Sequence, residues 1–291
     1  MTRRQIPFKG GSIGYLDGGE GDCVLYFHGT GAGKELAAVM ESDLIKRGYR
    51  LLIPDRPGYV GTSMSCGSTS MNAAAVGAAV LDAAGVQKAV VIGTSGGGLP
   101  AIHFAANYSD RTVGLVLQCA QSHRWDTPEW LPSGKGWVLR YAQNPLCKCL
   151  IHWAHHLQTR FLRWMKRSFL RGMTGARYED VRHNPASLEL CDVMIEHSIA
   201  SVAHPHGIEN DLDILLNEPL LTSADVRCPT LIIHDNADPV VPFRHAEWSK
   251  QLIPHAEVLG LQLGGHLIWI GNEADAMYIA RDAFIRQCHS K

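Results

Sequence analysis

The sequence predicts an α/β protein in which helices cover both faces of one mostly parallel central sheet, with a helical cap insertion. Three observations predict it. Apolar, strand-like runs recur along the 291 residues with helix-length segments between them, as in parallel sheets. The middle runs are continuously apolar, which is typical of strands buried on both faces. Residues 122–225 show helical patterns and no convincing strand, so we expect them to form a cap on a core made of 1–121 and 226–291.

The individual elements follow from this alternation. The predicted strands are an N-terminal hairpin of 6–8 and 12–16, followed by 23–28, 50–54, 88–93, 113–119, 229–234 and 256–263. The helices predicted between them are 34–47, 70–85, 96–108, 242–252 and 273–287. Five of the seven tryptophans fall within the cap segment, which gives that segment the material for an aromatic underside.

Composition limits the classes of function. A formal net charge of −1 and a hydrophobic content of 46% describe an ordinary globular protein, and nothing in the charge points to a nucleic-acid partner. No apolar run approaches the length of a membrane span, and the basic N-terminus has no apolar segment behind it. We therefore expect a cytoplasmic protein.

Two G-x-S-x-G patterns occur in the chain, and the pattern alone is weak because a glycine-rich sequence produces it by chance. Residues 10–14 (GGSIG) have no buried strand before them and no helix after them, so we interpret them as a hairpin turn. Residues 93–97 (GTSGG) follow a β-branched run and precede a helix-compatible segment. A serine on such a sharp strand-to-helix turn exposes its hydroxyl at the edge of the sheet. Ser95 is the predicted nucleophile.

A nucleophilic serine needs a base, and the base needs an orienting carboxylate. His266 lies on a glycine turn just past the last strand-like run, and the loop after strand 229–234 contains two aspartates. Asp238, just before Pro239, is the favoured carboxylate, and Asp235, nearer the strand end, is the alternative. The order Ser, Asp, His beyond three different strand ends supports the assignment more than any one residue does.

The oxyanion of a tetrahedral intermediate needs hydrogen-bond donors. The backbone N–H of Gly96, directly after the nucleophile, is one candidate, and the N–H of Thr30 in the HGTGAG loop is the other. The same loop is not a phosphate loop, because His28 occupies the position of the first P-loop glycine and Glu35 that of the Ser/Thr.

Taken together, these segments resemble the α/β-hydrolase superfamily, in its cap-bearing serine esterase branch. The matching pieces, in family order, are HGTG at 28–31, DRPGYVGTS at 55–63, GTSGGG at 93–98, HDNADPVVP at 234–242 and GGH at 264–266. The resemblance implies the α/β-hydrolase fold, a Ser95–His266–Asp238 triad, an oxyanion hole from Gly96 and Thr30, and a helical cap. The branches with an aspartate nucleophile do not fit Ser95.

The cap segment carries an unusual charge pattern. Nine basic residues and no acidic residue lie between Lys135 and Arg177. Residues 160–171 can form a basic helix, which we interpret as a solvated outer face with snorkelling side chains. Steering of an anionic substrate and docking on an anionic membrane surface are the alternatives. His152, His155 and His156 have helical metal-ligand spacing but no carboxylate nearby, so we expect no metal.

The predicted function is a cofactor-free, carboxylesterase-like serine hydrolase that acts on a small ester, neutral or anionic, with an apolar or aromatic group. We expect Trp125, Trp130, Trp137 and Leu267 to line its substrate pocket. The same triad also serves C–C bond hydrolysis, perhydrolysis, and lactone or amide opening, and fold resemblance does not choose among them. A ligand receptor with slow or no turnover is the alternative from a different class.

Overall fold

A computed structural model describes residues 1–124, 161–202, 206–221, 224–262, 264–271 and 274–290. The strands are β1 Thr2–Phe8, β2 Gly11–Gly18, β3 Cys23–Phe27, β4 Arg50–Pro54, β5 Ala89–Thr94, β6 Thr112–Gln118, β7 Thr230–Asp235 and β8 Glu257–Leu261. They form one sheet in the order β1-β2-β4-β3-β5-β6-β7-β8. β2 is antiparallel to β1 and β4, whereas the strands from β4 to β8 pair in parallel. The mostly parallel sheet is thus confirmed.

Helices connect the strands as the alternation predicts. Those that flank the sheet are α1 Gly33–Met40, α2 Ser42–Lys46, α3 Ser70–Ala83, α4 Gly98–Asn107, α9 Arg244–Leu252 and α10 Ala274–His289. Between β6 and β7 lie α5 Phe161–Thr174, α6 Tyr178–Val181, α7 Pro185–Val202 and α8 His206–Asn217.

Two elements differ from the prediction. The hairpin strands are longer than predicted, and the turn between them lies at Lys9 and Gly10, which both have positive φ as a tight two-residue hairpin loop requires. The helix predicted over 34–47 is broken at Glu41. The fully buried carboxylate of Glu41 accepts hydrogen bonds from Gln118, Trp269 and Arg281, and a buried carboxylate needs such donors. The break turns Glu41 toward them.

The core has two layers, one on each face of the sheet. Alternate residues of β3 show the division: Val24 and Tyr26 pack into one cluster, Leu25 and Phe27 into the other, and all four are at most 1% exposed. This two-sided burial explains why the middle strands are continuously apolar.

The helices between β6 and β7 share the first of these layers. Leu170, Val181, Cys191 and Met194 pack into the same cluster as Val24 and Tyr26. The described part of this segment contains helices and no strand. Within the described residues, no helix is long and apolar enough to cross a membrane.

Candidate active site

Ser95 stands at the junction between a central strand and a helix. β5 ends at Thr94, a 3₁₀ turn covers Ser95–Gly97, and α4 begins at Gly98. Ser95 has φ 51°, a conformation that costs energy for a residue with a side chain. Gly97 has ordinary φ but passes so close to the carbonyl of Phe27 that a Cβ would clash with it. The glycine serves close approach here, while the serine itself takes the strained backbone.

The structure brings Ser95, His266 and Asp238 together. Ser95 Oγ lies 3.1 Å from His266 Nε2, and His266 Nδ1 lies 2.7 Å from Asp238 Oδ2. With the imidazole proton on Nδ1, His266 donates to Asp238 and accepts from the Ser95 hydroxyl. Ser95 is half-buried and the other two residues are buried.

The surroundings of Asp238 keep it ionised. Its Oδ1 accepts from the backbone N–H groups of Val240 (2.7 Å) and Val241 (2.9 Å). Burial alone would raise the pKa of Asp238, but His266 and hydrogen bonds from His234 and His266 outweigh burial and hold the pKa well below its usual range. A carboxylate that stays charged can stabilise an imidazolium beside it.

The alternative carboxylate, Asp235, has a different position. Its Oδ1 accepts from the N–H of Ala237 (2.8 Å) and its Oδ2 from the N–H of Gly265 (3.3 Å). Asp235 therefore supports the backbone of the loop that carries His266, whereas Asp238 contacts the imidazole. The backbone N–H of His266 also donates to the carbonyl of Met173 in α5 (2.9 Å).

The backbone N–H groups of Thr30 and Gly96 lie beside Ser95. A Cβ on Gly96 would clash with the Thr30 hydroxyl and lie 3.3 Å from Thr30 N, so the two segments touch. In a planar trans peptide the N–H points opposite to the carbonyl of the same unit. Gln121 N donates to Ser95 O (2.9 Å) and so fixes the Gly96 N–H. His28 Nδ1 donates to Gly29 O (2.9 Å) and so fixes the Thr30 N–H.

A cavity of about 250 Å³ opens at Ser95. Ser95, His266, Thr30 and Gly96 line its polar side, and no Lys, Arg, Asp or Glu is among the described residues that line it. The predicted pocket residue Leu267 lines it, whereas Trp125, Trp130 and Trp137 lie outside the described residues. The apolar wall includes side chains that sequence reasoning missed: Met40, Phe169, Met173, Met194, Leu212, Leu215 and Trp269. Of these side chains, Phe169 belongs to residues 160–171, which the sequence predicted as a basic helix and not as part of the pocket.

The basic helix α5 faces the protein with its described apolar residues. Phe169 and Met173 line the cavity, and Leu170 is 2% exposed. Lys166 pairs with Asp192 of α7 at 2.6 Å, and Arg171 lies over the ring of Tyr178. This arrangement fits the interpretation of a solvated basic face over an apolar underside. Because Phe169 and Leu170 are used inside the protein, they are not available to a membrane surface.

Metal-ligating atoms also occur at this site. Among the described residues, ligand atoms of Cys119, Asp238 and His266 lie within 4.8 Å of one another, but two of these residues already bond to each other. His152, His155 and His156 lie outside the described residues.

Comparison with known proteins gives consistent results. The family model for the alpha/beta hydrolase fold matches residues 22–273. An uncharacterized hydrolase of Bacillus subtilis is 30% identical over 278 residues, which cover 94% of this chain and 95% of that protein. A structure of an alpha/beta hydrolase fold protein from Nakamurella multipartita has a TM-score of 0.79 and 22% identity, and covers 98% of this chain and 99% of its own.

Two further relatives have named activities. A pimeloyl-(acyl-carrier protein) methyl ester esterase of Yersinia enterocolitica is 28% identical over 258 residues, 87% of this chain and 90% of that enzyme. A 2-hydroxy-6-oxo-6-phenylhexa-2,4-dienoate hydrolase of Burkholderia cepacia is 34% identical over 107 residues, 35% of this chain and 37% of that enzyme.

Proposed function

The chain belongs to the α/β-hydrolase family, and we propose that it is a serine hydrolase that cleaves carboxylic esters with an uncharged, apolar acyl group. One observation carries the proposal: Ser95, His266 and Asp238 form a chain of hydrogen bonds, and Ser95 lies where an apolar cavity opens. The Yersinia relative is by name an ester hydrolase, and the alignment covers most of its length, which supports the same reaction class.

In the proposed mechanism, His266 Nε2 takes the Ser95 proton while Ser95 Oγ attacks the ester carbonyl carbon. The N–H groups of Thr30 and Gly96 stabilise the oxyanion, and ionised Asp238 stabilises the imidazolium. Collapse breaks the bond to the alkoxy oxygen, which leaves as an alcohol with the proton from His266. Water, deprotonated by His266, then attacks the acyl-enzyme and releases the acid and free Ser95.

The lining of the cavity supports an uncharged acyl group. No cation is among the described residues that line the cavity, so a carboxylate buried there beside Met40, Phe169 and Leu212 would lose its hydration without compensation from them. A volume of about 250 Å³ is also below the ~300–1,000 Å³ of sites for drug-sized ligands, which favours short and medium acyl chains. We further propose that residues 122–225 act as a cap, since α5, α7 and α8 supply part of this wall.

Carbon–carbon bond hydrolysis is the second candidate. The Burkholderia relative, whose substrate is by name a dienoate, favours it, although the alignment spans about a third of each chain. Its substrate carries a carboxylate, and the described cavity lining offers no basic side chain to bind one.

A fluorophosphonate probe and a substrate panel test the proposal. We expect the probe to label wild-type protein and not Ser95→Ala. We expect p-nitrophenyl esters from acetate to laurate to be hydrolysed, with an optimum at short or medium length. Matched esters with a terminal carboxylate should react much more slowly. Absence of labelling would overturn the proposal, and turnover of a vinylogous diketone carboxylate in preference to every ester would favour carbon–carbon hydrolysis.

A further inference from the structure

A buried polar cluster links α8 to the segments that carry the proposed oxyanion donors. Asp211 of α8 pairs with Arg56 through two hydrogen bonds of 2.5 and 2.6 Å, and each side chain is 3% exposed. Arg56 follows β4, so the pair joins the helices between β6 and β7 to the sheet. A buried ion pair gives little net stability, because desolvation offsets most of the attraction. Its contacts therefore matter more than its contribution to folding.

Tyr59 connects the same carboxylate to the Thr30 loop. Its hydroxyl donates to Asp211 Oδ2 (2.6 Å) and accepts from the backbone N–H of Gly31 (2.8 Å). The ring packs against the first turn of α8, where a Cβ on Gly207 would lie 2.5 Å from it. Burial and the Asp211 charge raise the pKa of Tyr59 well above its usual range, so the hydroxyl keeps the proton it donates.

Arg56 reaches both proposed oxyanion segments. Its Nη1 donates to the carbonyl of Gly96 (3.4 Å), and its backbone N–H donates to His28 Nε2 (3.1 Å). This second bond leaves the proton on His28 Nδ1, which donates to Gly29 O and so orients the Thr30 N–H. One carboxylate on α8 is therefore connected, through the side chains of Arg56 and Tyr59, to the peptide that directly follows each donor peptide.

We propose that Asp211 is a positioning residue that, through Arg56 and Tyr59, couples the seating of α8 to the alignment of the oxyanion hole. The inference rests on the proposed function, since it assigns a role in stabilising the tetrahedral intermediate. It predicts that removing the Tyr59 hydroxyl impairs the transition state more than substrate binding, because the two N–H groups lose their alignment while every side chain that lines the cavity is unchanged.

Tyr59→Phe is the test variant, because it removes one hydroxyl and keeps the ring. Tyr49→Phe is a matched control: the Tyr49 hydroxyl also bonds a carboxylate, Asp282 of α10, at 2.7 Å, and its ring is likewise buried. With a neutral p-nitrophenyl ester we expect Tyr59→Phe to lower kcat about tenfold with KM nearly unchanged. This is less than the ~10²–10³-fold loss on deleting a donor outright. Tyr49→Phe should keep the wild-type kcat.

Two inhibitors separate positioning from a structural role. A trifluoromethyl ketone forms a tetrahedral adduct with an activated serine and places an oxyanion in the hole, whereas the matching methyl ketone mimics the bound substrate. Tyr59→Phe should lose affinity for the first in proportion to kcat and keep its affinity for the second. Asp211→Asn should lose more kcat and also melt at a lower temperature, since it leaves the Arg56 charge unpaired.

Three outcomes decide the matter. An active wild type with wild-type kcat in Tyr59→Phe overturns the positioning role and leaves the proposed function intact. Equal loss of affinity for both ketones also overturns it, because that result describes a damaged pocket. A wild type that is neither labelled by fluorophosphonate nor active on esters overturns the proposed function and this inference with it.

Discussion

Two segments of this chain carry the same G-x-S-x-G pattern and form different structures. Ser12, in residues 10–14, lies in β2 opposite Pro7 of β1. Ser95, in residues 93–97, lies on the turn from β5 to α4 with φ 51°. The Ser12 hydroxyl accepts from Gln5 Nε2 (3.0 Å) and lies 3.4 Å from Ser63 Oγ. The Ser95 hydroxyl lies 3.1 Å from His266 Nε2.

The comparison teaches that the letters of the motif do not determine the chemistry. Gly14, after Ser12, lets the hairpin pack closely against the loop that follows β4, since a Cβ on Gly14 would lie 2.7 Å from Gly61 Cα. The glycines around Ser95 let a helix start directly behind a strained residue at the carboxyl end of a parallel strand. That end of the sheet is where the loops after β7 and β8 also arrive, with Asp238 and His266. Context decides which serine meets a base.

The largest expected difference is between Ser95→Ala and Ser12→Ala. Ser95→Ala removes the proposed nucleophile, and we expect esterase kcat to fall on the order of 10⁴–10⁶-fold. Ser12→Ala removes a hydroxyl that contacts Gln5 in β1 and Ser63 after β4, so kcat should stay at the wild-type value. Steady-state assays on a neutral ester measure kcat for both variants. A Ser12→Ala protein that is folded but inactive would contradict the comparison.

The two aspartates after β7 extend the comparison to the partner of His266. Asp238→Asn should lower kcat on the order of 10⁴-fold, because an amide can stabilise neither the imidazolium nor the required tautomer. Asp235→Asn keeps an acceptor near the N–H groups of Ala237 and Gly265, so we expect a loss of less than about tenfold. Steady-state kinetics on the pair check this. Equal losses of kcat in the two variants would make Asp235 as good a candidate as Asp238 for the carboxylate partner of His266.

A methyl group added to each glycine motif should act on different properties. In Gly96→Ala the Cβ presses on Thr30 beside the proposed oxyanion hole, so we expect kcat/KM to fall on the order of 10²-fold. In Gly14→Ala the Cβ presses on the backbone of Gly61, which should cost about 1–3 kcal/mol of stability with kcat/KM retained. Kinetics and urea unfolding on both variants separate the effects, and a crossed result would contradict the assignment.

The sequence predicted the sheet and the loops of the site because both depend on local pattern. Apolar runs locate β3, β5 and β7, and short glycine-containing segments mark the turns that follow them. Contacts between distant residues were beyond such reasoning. Asp211 lies 155 residues from Arg56 along the chain, and Asp211 looks like an ordinary polar position on an amphipathic helix. The break at Glu41 is similar, since its donors Trp269 and Arg281 come from the far end of the chain.

The cavity wall shows the same limit. Met194, Leu212 and Leu215 lie on apolar helix faces, which can pack in a core or line a pocket equally well. The helical spacing of apolar residues therefore did not identify them as pocket residues. Tryptophan content directed attention to Trp125, Trp130 and Trp137 instead, whereas the described tryptophan on the wall is Trp269. A pocket forms between elements that face one another in the fold, and the sequence pattern of each element does not show which others it faces.

Acid should affect the surroundings of Ser95 more than those of Ser12. Ser122 N donates to His245 Nδ1 (3.3 Å), next to Gln121, which supports the Ser95 backbone. That acceptor requires a neutral imidazole. Burial, together with the neighbouring His123, His234 and Arg244, lowers the pKa of His245 to about 2, against about 6.5 for an unfolded histidine. Between these values the unfolded chain binds the extra proton, so stability falls as pH falls below about 6.5 and is complete above it.

For His245 alone the loss of stability should reach about 2 kcal/mol at pH 5. The pKa of Asp238 is lowered, so its contribution to stability is present above the ordinary aspartate pKa of about 3.9 and is lost only below it. The pH dependence of stability between pH 5 and 7 therefore comes from histidines. Urea unfolding across this range should give a smaller slope in His245→Gln than in the wild type. Hydrogen-exchange protection, corrected for intrinsic rates, should fall at 119–123 and persist at 10–14. Equal loss at both segments would mean that acid opens the fold as a whole and does not distinguish the two serines.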